Sequence, residues 1–169
     1  MTDDSNIALH VRADRFTTVG RPAAYRLANG FLRQHDAFDR HLGLRANKLL
    51  VFLVIIVATI QRLVRSGLPP HWLGTAPLDR DAIGFISRRG IARTLDLPPE
   101  SVRRIVAELE ADDWLSLDPR GMIANKPGMM ERPETMALLV ELAHDVAASA
   151  ELMIRLGIIE VERAETRPD

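Results

Sequence analysis

Seven side chains between residues 88 and 120 are of types that grip phosphate or read base edges: Arg88, Arg89, Glu100, Ser101, Arg103, Arg104 and Arg120. A guanidinium is a planar fork of donors that matches two phosphate oxygens or the O6/N7 edge of guanine. A serine hydroxyl donates to phosphate or to a base edge. The Glu100 carboxylate accepts from a cytosine amine or, equally, serves the positive end of a helix dipole. Covalent chemistry has no comparable set. The sequence holds no Gly-rich phosphate loop, no nucleophile elbow and no HExxH. It has no cysteine, which excludes disulfides, thiolate nucleophiles, cysteine-bound zinc and iron–sulfur clusters. His35, Asp36, Asp39 and His41 lie close in sequence, but with a helix break expected near His41 their side chains need not converge. The expectation is a protein that is not an enzyme, with no metal site and no cofactor.

The grip residues need elements that line them up. Ser87 is a good N-cap for SRRGIARTLDL, in which Ile91, Ala92 and Leu95 share a face. Asp96-Leu97-Pro98-Pro99 interrupts that helix, and Pro99 suits the first turn of the next. There Val102, Ile105, Val106 and Leu109 follow the i, i+3, i+4, i+7 rule and point inward, leaving Ser101, Arg103, Arg104 and Glu108 on other faces. Two short helices with a small Ala92 at their contact make a helix-turn-helix. Trp114 to Leu117 reads as a strand, Asp118-Pro119-Arg120-Gly121 as a tight turn, and Met122-Ile123-Ala124 as the returning strand. This hairpin is a wing with Arg120 at its tip. The recognition helix is placed at about Pro99–Asp112, in the major groove, and the wing at about Leu115–Ala124, on the adjacent backbone or minor groove. Arg88 and Arg89 open the first helix, where the dipole disfavours cations, so their presence points to an anion outside the chain.

The pattern resembles the winged helix-turn-helix transcription regulators, the broad group that includes the MarR, GntR and IclR types. It is carried by Ala92-x-x-Leu95-x-Leu97, by Val102-x-Arg104-Ile105, by Leu109-Glu110 and by the pair Trp114-Leu115. It covers about a quarter of the chain and does not resolve the subfamily. One departure is Asp113, where such proteins usually carry Gly before the wing aromatic. The resemblance implies sequence-specific binding of double-stranded DNA by a dimer.

The remaining chain fits that frame. The fold class is mainly α with a small β-hairpin wing: a winged helix-turn-helix plus long N- and C-terminal dimerisation helices. Residues 1–20 read as a flexible arm, 21–77 as N-terminal helices, 78–126 as the DNA-binding domain, 133–157 as a C-terminal dimerisation helix and 158–169 as a tail. A helix from Arg21 to Phe38 has Leu27, Phe31 and Phe38 at helical spacing, and Gly30 weakens it. A second runs from about Leu44 to Ser66, ending before Gly67 and Pro69-Pro70. Its apolar run from Leu49 to Ile60 is short for a membrane span and reads as an enclosed helix. The C-terminal helix carries two heptad-spaced stripes: Met136, Val140, Ala143, Ala147, Ala150, Ile154, Gly157 and Leu139, Leu142, Val146, Ser149, Met153, Leu156. Together they are wide enough to pack on the protomer and on a second subunit.

The N-terminal sequence lacks a signal-peptide pattern, so a cytoplasmic protein is expected, without a membrane partner. Net charge is −1, composed of +5 over residues 1–78, +2 over 79–106 and −8 over 107–169. Residues 80–126 balance eight basic against eight acidic side chains. That balance keeps an alternative open: a winged-helix protein–protein module that does not bind DNA. Met129, Met130 and Met136 fit either a ligand pocket or irregular gaps in a core. The sequence names no small-molecule effector.

Overall fold

A computed structural model describes residues 7–65, 67 and 73–163. In chain order these form β1 (Ile7–Val11), a 3-10 turn (Ala13–Arg15), α1 (Phe16–Leu42), α2 (Ala46–Arg65), α3 (Arg88–Leu95), α4 (Pro99–Ala111), β2 (Leu115–Leu117), β3 (Ile123–Asn125), a 3-10 turn (Met129–Glu131), α5 (Pro133–Arg155) and β4 (Ile159–Arg163). The fold is mainly α with a small two-stranded wing. The chain divides into two compact units, residues 38–138 and residues 1–37 with 139–169. The wing-bearing unit is thus larger than the expected 78–126, because α2 supplies much of its core.

In that unit α2 packs on α3, α4 and β3. Leu49, Val51, Phe52, Ile55, Thr59 and Leu63 form the buried side of α2. They meet Ile91 and Ala92 from α3 and Val102, Ile105, Val106 and Leu109 from α4, the residues whose spacing predicts an inward face. Phe52 meets the Trp114 ring edge-on, with centroids 5.8 Å apart. Lys48 bonds Asp112 at 2.6 Å and ties α2 to the end of α4. The helix of 20 residues is longer than the apolar run suggests, and by length and composition it suffices to cross a membrane. Its packing into the wing-bearing unit is that of a core helix. The chain itself encloses only part of this helix: Leu50, Val57, Ile60 and Val64 are exposed in the single chain, which leaves the expected cover there to a second subunit.

In the other unit the expected arm and tail are partly built into a sheet. β1 pairs antiparallel with β4, Ile7 opposite Arg163 and Val11 opposite Ile159. Backbone pairing is the reason, since β1 buries almost nothing; residues 1–6 and 164–169 of the arm and tail, and residues 68–72 with the expected Pro69-Pro70 stop, lie outside the described residues. α1 begins at Phe16 rather than Arg21, with a non-helical Val19 ahead of Pro22, which removes the clash that a proline imposes on the preceding turn. Of the residues at helical spacing on α1, two face outward. Leu27 and Phe31 are exposed, whereas Ala23, Gly30 and Ala37 are buried. The cause is a buried carboxylate. Asp145 of α5, 5% exposed, accepts from Arg26 at 3.1 Å, from Gln34 at 3.3 Å and pairs with Arg33 at 3.1 Å. A Cβ on Gly30 would lie 3.0 Å from its Oδ2. Small residues let α1 approach close enough for that network. On α5 the buried positions after Leu138 are accordingly Asp145 and Met153, and Val140, Val146 and Ile154 of the two stripes are exposed. Ala23, Met153 and Ile158 form the core there.

Two substitutions test this arrangement. Leu109→Ala removes a fully buried side chain and should cost about 2–5 kcal/mol in chemical denaturation. Asp145→Ala leaves the largely buried Arg26 with only the carbonyl of residue 145 as a partner and should cost about 3 kcal/mol. A thermally silent Asp145→Ala would mean that the network is not a stabilising feature of this unit.

Candidate nucleic-acid interface

The Ser87 hydroxyl accepts from the Gly90 N–H at 3.0 Å and caps α3, as its type predicts. Asp96 closes α3 in the left-handed conformation and Pro99 opens α4 at its first turn. α4 ends in a paired 6→1 and 5→2 arrangement: Trp114 N–H donates to Leu109 C=O at 3.0 Å and Asp113 N–H to Glu110 C=O at 3.1 Å. Asp113 therefore takes φ +66, the conformation that glycine occupies most easily. Its carboxylate is held by hydrogen bonds from Lys126 and, at 2.9 Å, from Arg132, and these hold it below the usual aspartate range. Arg132 also lies over the Trp114 ring at 4.7 Å. The departure from Gly at this position thus doubles as an anchor for the chain leaving the wing.

The wing turn is as expected. Gly121 N–H donates to Asp118 C=O at 2.9 Å, and Asp118 Oδ1 accepts from Arg120 N–H and Met122 N–H, both at 2.8 Å. Leu117 pairs with Ile123, Ser116 with Ala124 and Leu115 with Asn125. The outer edge of β3 would be left with unpaired donors. Ile123 N–H goes to Ile86 C=O at 2.8 Å, with the reciprocal bond at 2.9 Å, and Asn125 N–H goes to the Thr59 hydroxyl at 3.1 Å. Ile86, just ahead of the Ser87 cap of α3, and a hydroxyl from α2 thus complete the hairpin edge. Two helices at a tight turn, followed by an edge-completed hairpin, define a winged helix-turn-helix module.

Each predicted grip residue now has a place. Arg89 is exposed on α3, and Arg120 is exposed at the wing turn. Arg88 is half-buried with its Nε lacking a hydrogen-bond partner, and its Nη1 lies 3.6 Å from where a Cβ on Gly121 would sit. It bridges the start of α3 and the wing turn. Ser101 is half-buried near the start of α4. Arg103 is bound by Glu100, Nη2 to Oε1 at 2.5 Å, and this hydrogen bond lowers the Glu100 pKa and raises that of Arg103. Arg104 bonds Glu108 at 2.9 Å. The acceptor expected of Glu100 is therefore engaged within its own helix. The structure adds Arg93, exposed on α3, which the motif spacing does not single out. It also adds Thr59, whose signal was a lone hydroxyl inside an apolar run.

No protein-family profile and no curated protein matches the sequence. Among solved structures the chain is similar to a transcriptional regulator (MarR family) from Rhodococcus sp. RHA1, with 17% identity, a TM-score of 0.39, and coverage of 79% of this chain and 83% of that one. The winged helix-turn-helix assignment stands on the chain's own geometry.

Thr59→Val keeps the shape of the side chain and deletes the acceptor for the Asn125 N–H. The buried donor is then unpaired, which should cost about 1–3 kcal/mol. Hydrogen exchange at the Asn125 amide should accelerate more than that of the α4 core amides. Equal acceleration across the unit would assign Thr59 a global role instead of an edge-capping one.

Proposed function

We propose that the chain is a dimeric, sequence-specific DNA-binding transcription regulator. The observation that carries this reading is the convergence of cations on one type of scaffold. Arg88 and Arg89 start α3, Arg103 and Arg104 lie on the exposed side of α4, and Arg120 tips the wing. In such a module α4 enters the major groove with Ser101 and Arg104 toward the bases, while Arg88, Arg89 and Arg120 take phosphate or minor groove. Arg88 fits best as a phosphate anchor, because it is held in place and no carboxylate neutralises it among the described residues. A dimer supplies two recognition helices for two half-sites. Its support is apolar surface in the unit of residues 1–37 and 139–169: Tyr25 is 72% and Phe31 71% exposed, beside Leu27 and Leu32, and Val140, Val146 and Ile154 are open on α5. A cytoplasmic, non-enzymatic role follows from the same reading.

The second reading is a winged-helix protein–protein module. The Arg103–Glu100 and Arg104–Glu108 pairs favour it, since both helix cations are neutralised in place. DNA binding requires these exposed pairs to open, which costs little because surface ion pairs contribute roughly 0–1 kcal/mol.

Binding to a selected duplex and to a scrambled duplex, each at two salt concentrations, decides between them. If Arg104 reads guanine, Arg104→Ala should lose about 1–3 kcal/mol on the selected duplex and relax one base position. If it holds phosphate, affinity should fall on both duplexes and the salt slope should drop by about one unit. Arg104→Lys should damage a guanine reader and spare a phosphate holder. Absence of salt-dependent binding to any duplex would favour the protein–protein module. For assembly, Ala147→Glu should shift light scattering from a dimer toward the 18.9 kDa chain mass; a wild-type monomer at high concentration would overturn the dimer.

A further inference from the structure

We propose that the β1–β4 ribbon is an interaction surface whose occupant is a second copy of this chain: the apolar sides of two ribbons stack on each other and make a four-stranded sandwich. The inference deepens the dimer reading above and rests on it.

The register decides which side chains share a side. Leu9 stands opposite Val161 and Val11 opposite Ile159, with Ile7 two residues further along β1. Residues directly opposite lie on one side of an antiparallel pair, and successive residues alternate. One side therefore carries Ile7, Leu9, Val11, Ile159 and Val161. The other carries Ala8, His10, Glu160 and Glu162. On that polar side His10 meets Glu162 at 3.1 Å, and Arg12, just past β1, meets Glu160 at 2.6 Å. These polar groups find partners within the chain. The apolar side does not: Leu9 is 60% and Val11 66% exposed, and Ile7 and Val161 are also open.

Such a ribbon is poorly supported by itself. Two strands alone are marginal in water, and stability comes from more strands over a shared apolar layer or from a helix packed on the ribbon. Here no tight turn joins the strands. Their pairing closes a loop of nearly the whole chain and must offset its entropy. Among the described residues the extensive packing of β1 is with β4 alone. The apolar layer that a ribbon needs is present, and half of the sandwich is missing from the single chain.

The cover must be apolar, uncharged and about as long as a five-residue strand. The same side of a second copy meets each condition, and a two-fold axis makes each ribbon the cover of the other. The surface also runs on into the helices of its own unit. Ile159 lines a groove with Leu27 and Phe31 of α1 and Val146 of α5, side chains open on the face already assigned to the dimer. These three and the five ribbon residues leave roughly 800 Å² accessible per chain, about half of it from the ribbon, which is what a stable interface covers on each partner.

The sequence holds no cysteine, so one introduced thiol per chain reports its own position. Leu9→Cys places it on the apolar side and Ala8→Cys on the polar side. Each full-length variant is treated with a bis-maleimide that spans about 10 Å, the separation of stacked sheets. Reaction with a monofunctional maleimide, run in parallel, corrects for thiol access. After that correction Leu9→Cys should be captured as a covalent dimer several-fold faster than Ala8→Cys. Separately, Val161→Lys puts a charge at a position exposed in the single chain and buried between stacked ribbons. It should leave the circular dichroism of the chain unchanged and raise the dimer dissociation constant about tenfold or more in light scattering on dilution. A wild-type dimer in which the two thiols are captured equally fast, or in which Val161→Lys folds and leaves the constant unchanged, overturns the stacked ribbons while the dimer reading stands. A wild-type monomer at high concentration overturns both. If Val161→Lys does not fold, the thiol pair alone decides.

Discussion

Thr59 is where the wing-bearing unit is tied together. Its hydroxyl donates to the Ile55 carbonyl and accepts from the Asn125 N–H, while its own carbonyl accepts from Gly84 N–H. One residue of α2 thereby fixes the edge of β3 and the segment that leads into α3. The constraint behind this is the edge of a short hairpin. A three-residue strand cannot leave outward N–H groups in an apolar environment, so each needs an acceptor from another element. Ile86 supplies one and Thr59 the other. Their positions set where the wing stands relative to α3 and α2, and through them the position of Arg120.

A similar pairing of partners occurs on α4. Its Arg103 and Arg104 are already paired with Glu100 and Glu108, so each charge is balanced within the helix. Exposed pairs of this kind exchange partners at small cost, so they offer little resistance to a phosphate. Arg88 stands apart because it is half-buried and its Nε has no hydrogen-bond partner among the described residues. Under the proposed DNA reading, an anion at Arg88 displaces no partner, whereas one at Arg103 or Arg104 must first open an ion pair.

The sequence made the helix-turn-helix and wing legible because their determinants are local. Ser87, Pro99, the Asp118-to-Gly121 turn and the Val102–Leu109 stripe each act within a few residues, and each appears as read. Asp113 shows how a departure from pattern is absorbed: an aspartate accepts the left-handed cap and its charge finds Lys126 and Arg132. What stayed hidden depends on distant partners. β1 and β4 are joined across nearly the whole chain, so no nearby turn announces the pairing, although Ile159-Glu160-Val161-Glu162 alternates. The inward face of α1 is hidden for a different reason. Periodicity counts apolar size, but Ala23, Gly30 and Ala37 are inward because an inward Asp145 with its arginines requires close approach.

The outward face of α1 bears on assembly. A helix that turns its glycine and alanines inward and its Tyr25, Phe31 and Leu32 outward has its larger apolar surface on the solvent side of a single chain. Burying a Phe or Leu side chain contributes about 1.5–3 kcal/mol, so such a face gains substantially from a cover. The Asp145 network resists the alternative of rolling α1 over to hide those rings, because rotation would separate Arg26 and Gln34 from the buried carboxylate. A polar contact inside the unit therefore specifies which face of α1 is kept outward. Rolling α1 within this unit therefore does not relieve its outward apolar residues, which is physical support for the dimer proposed above.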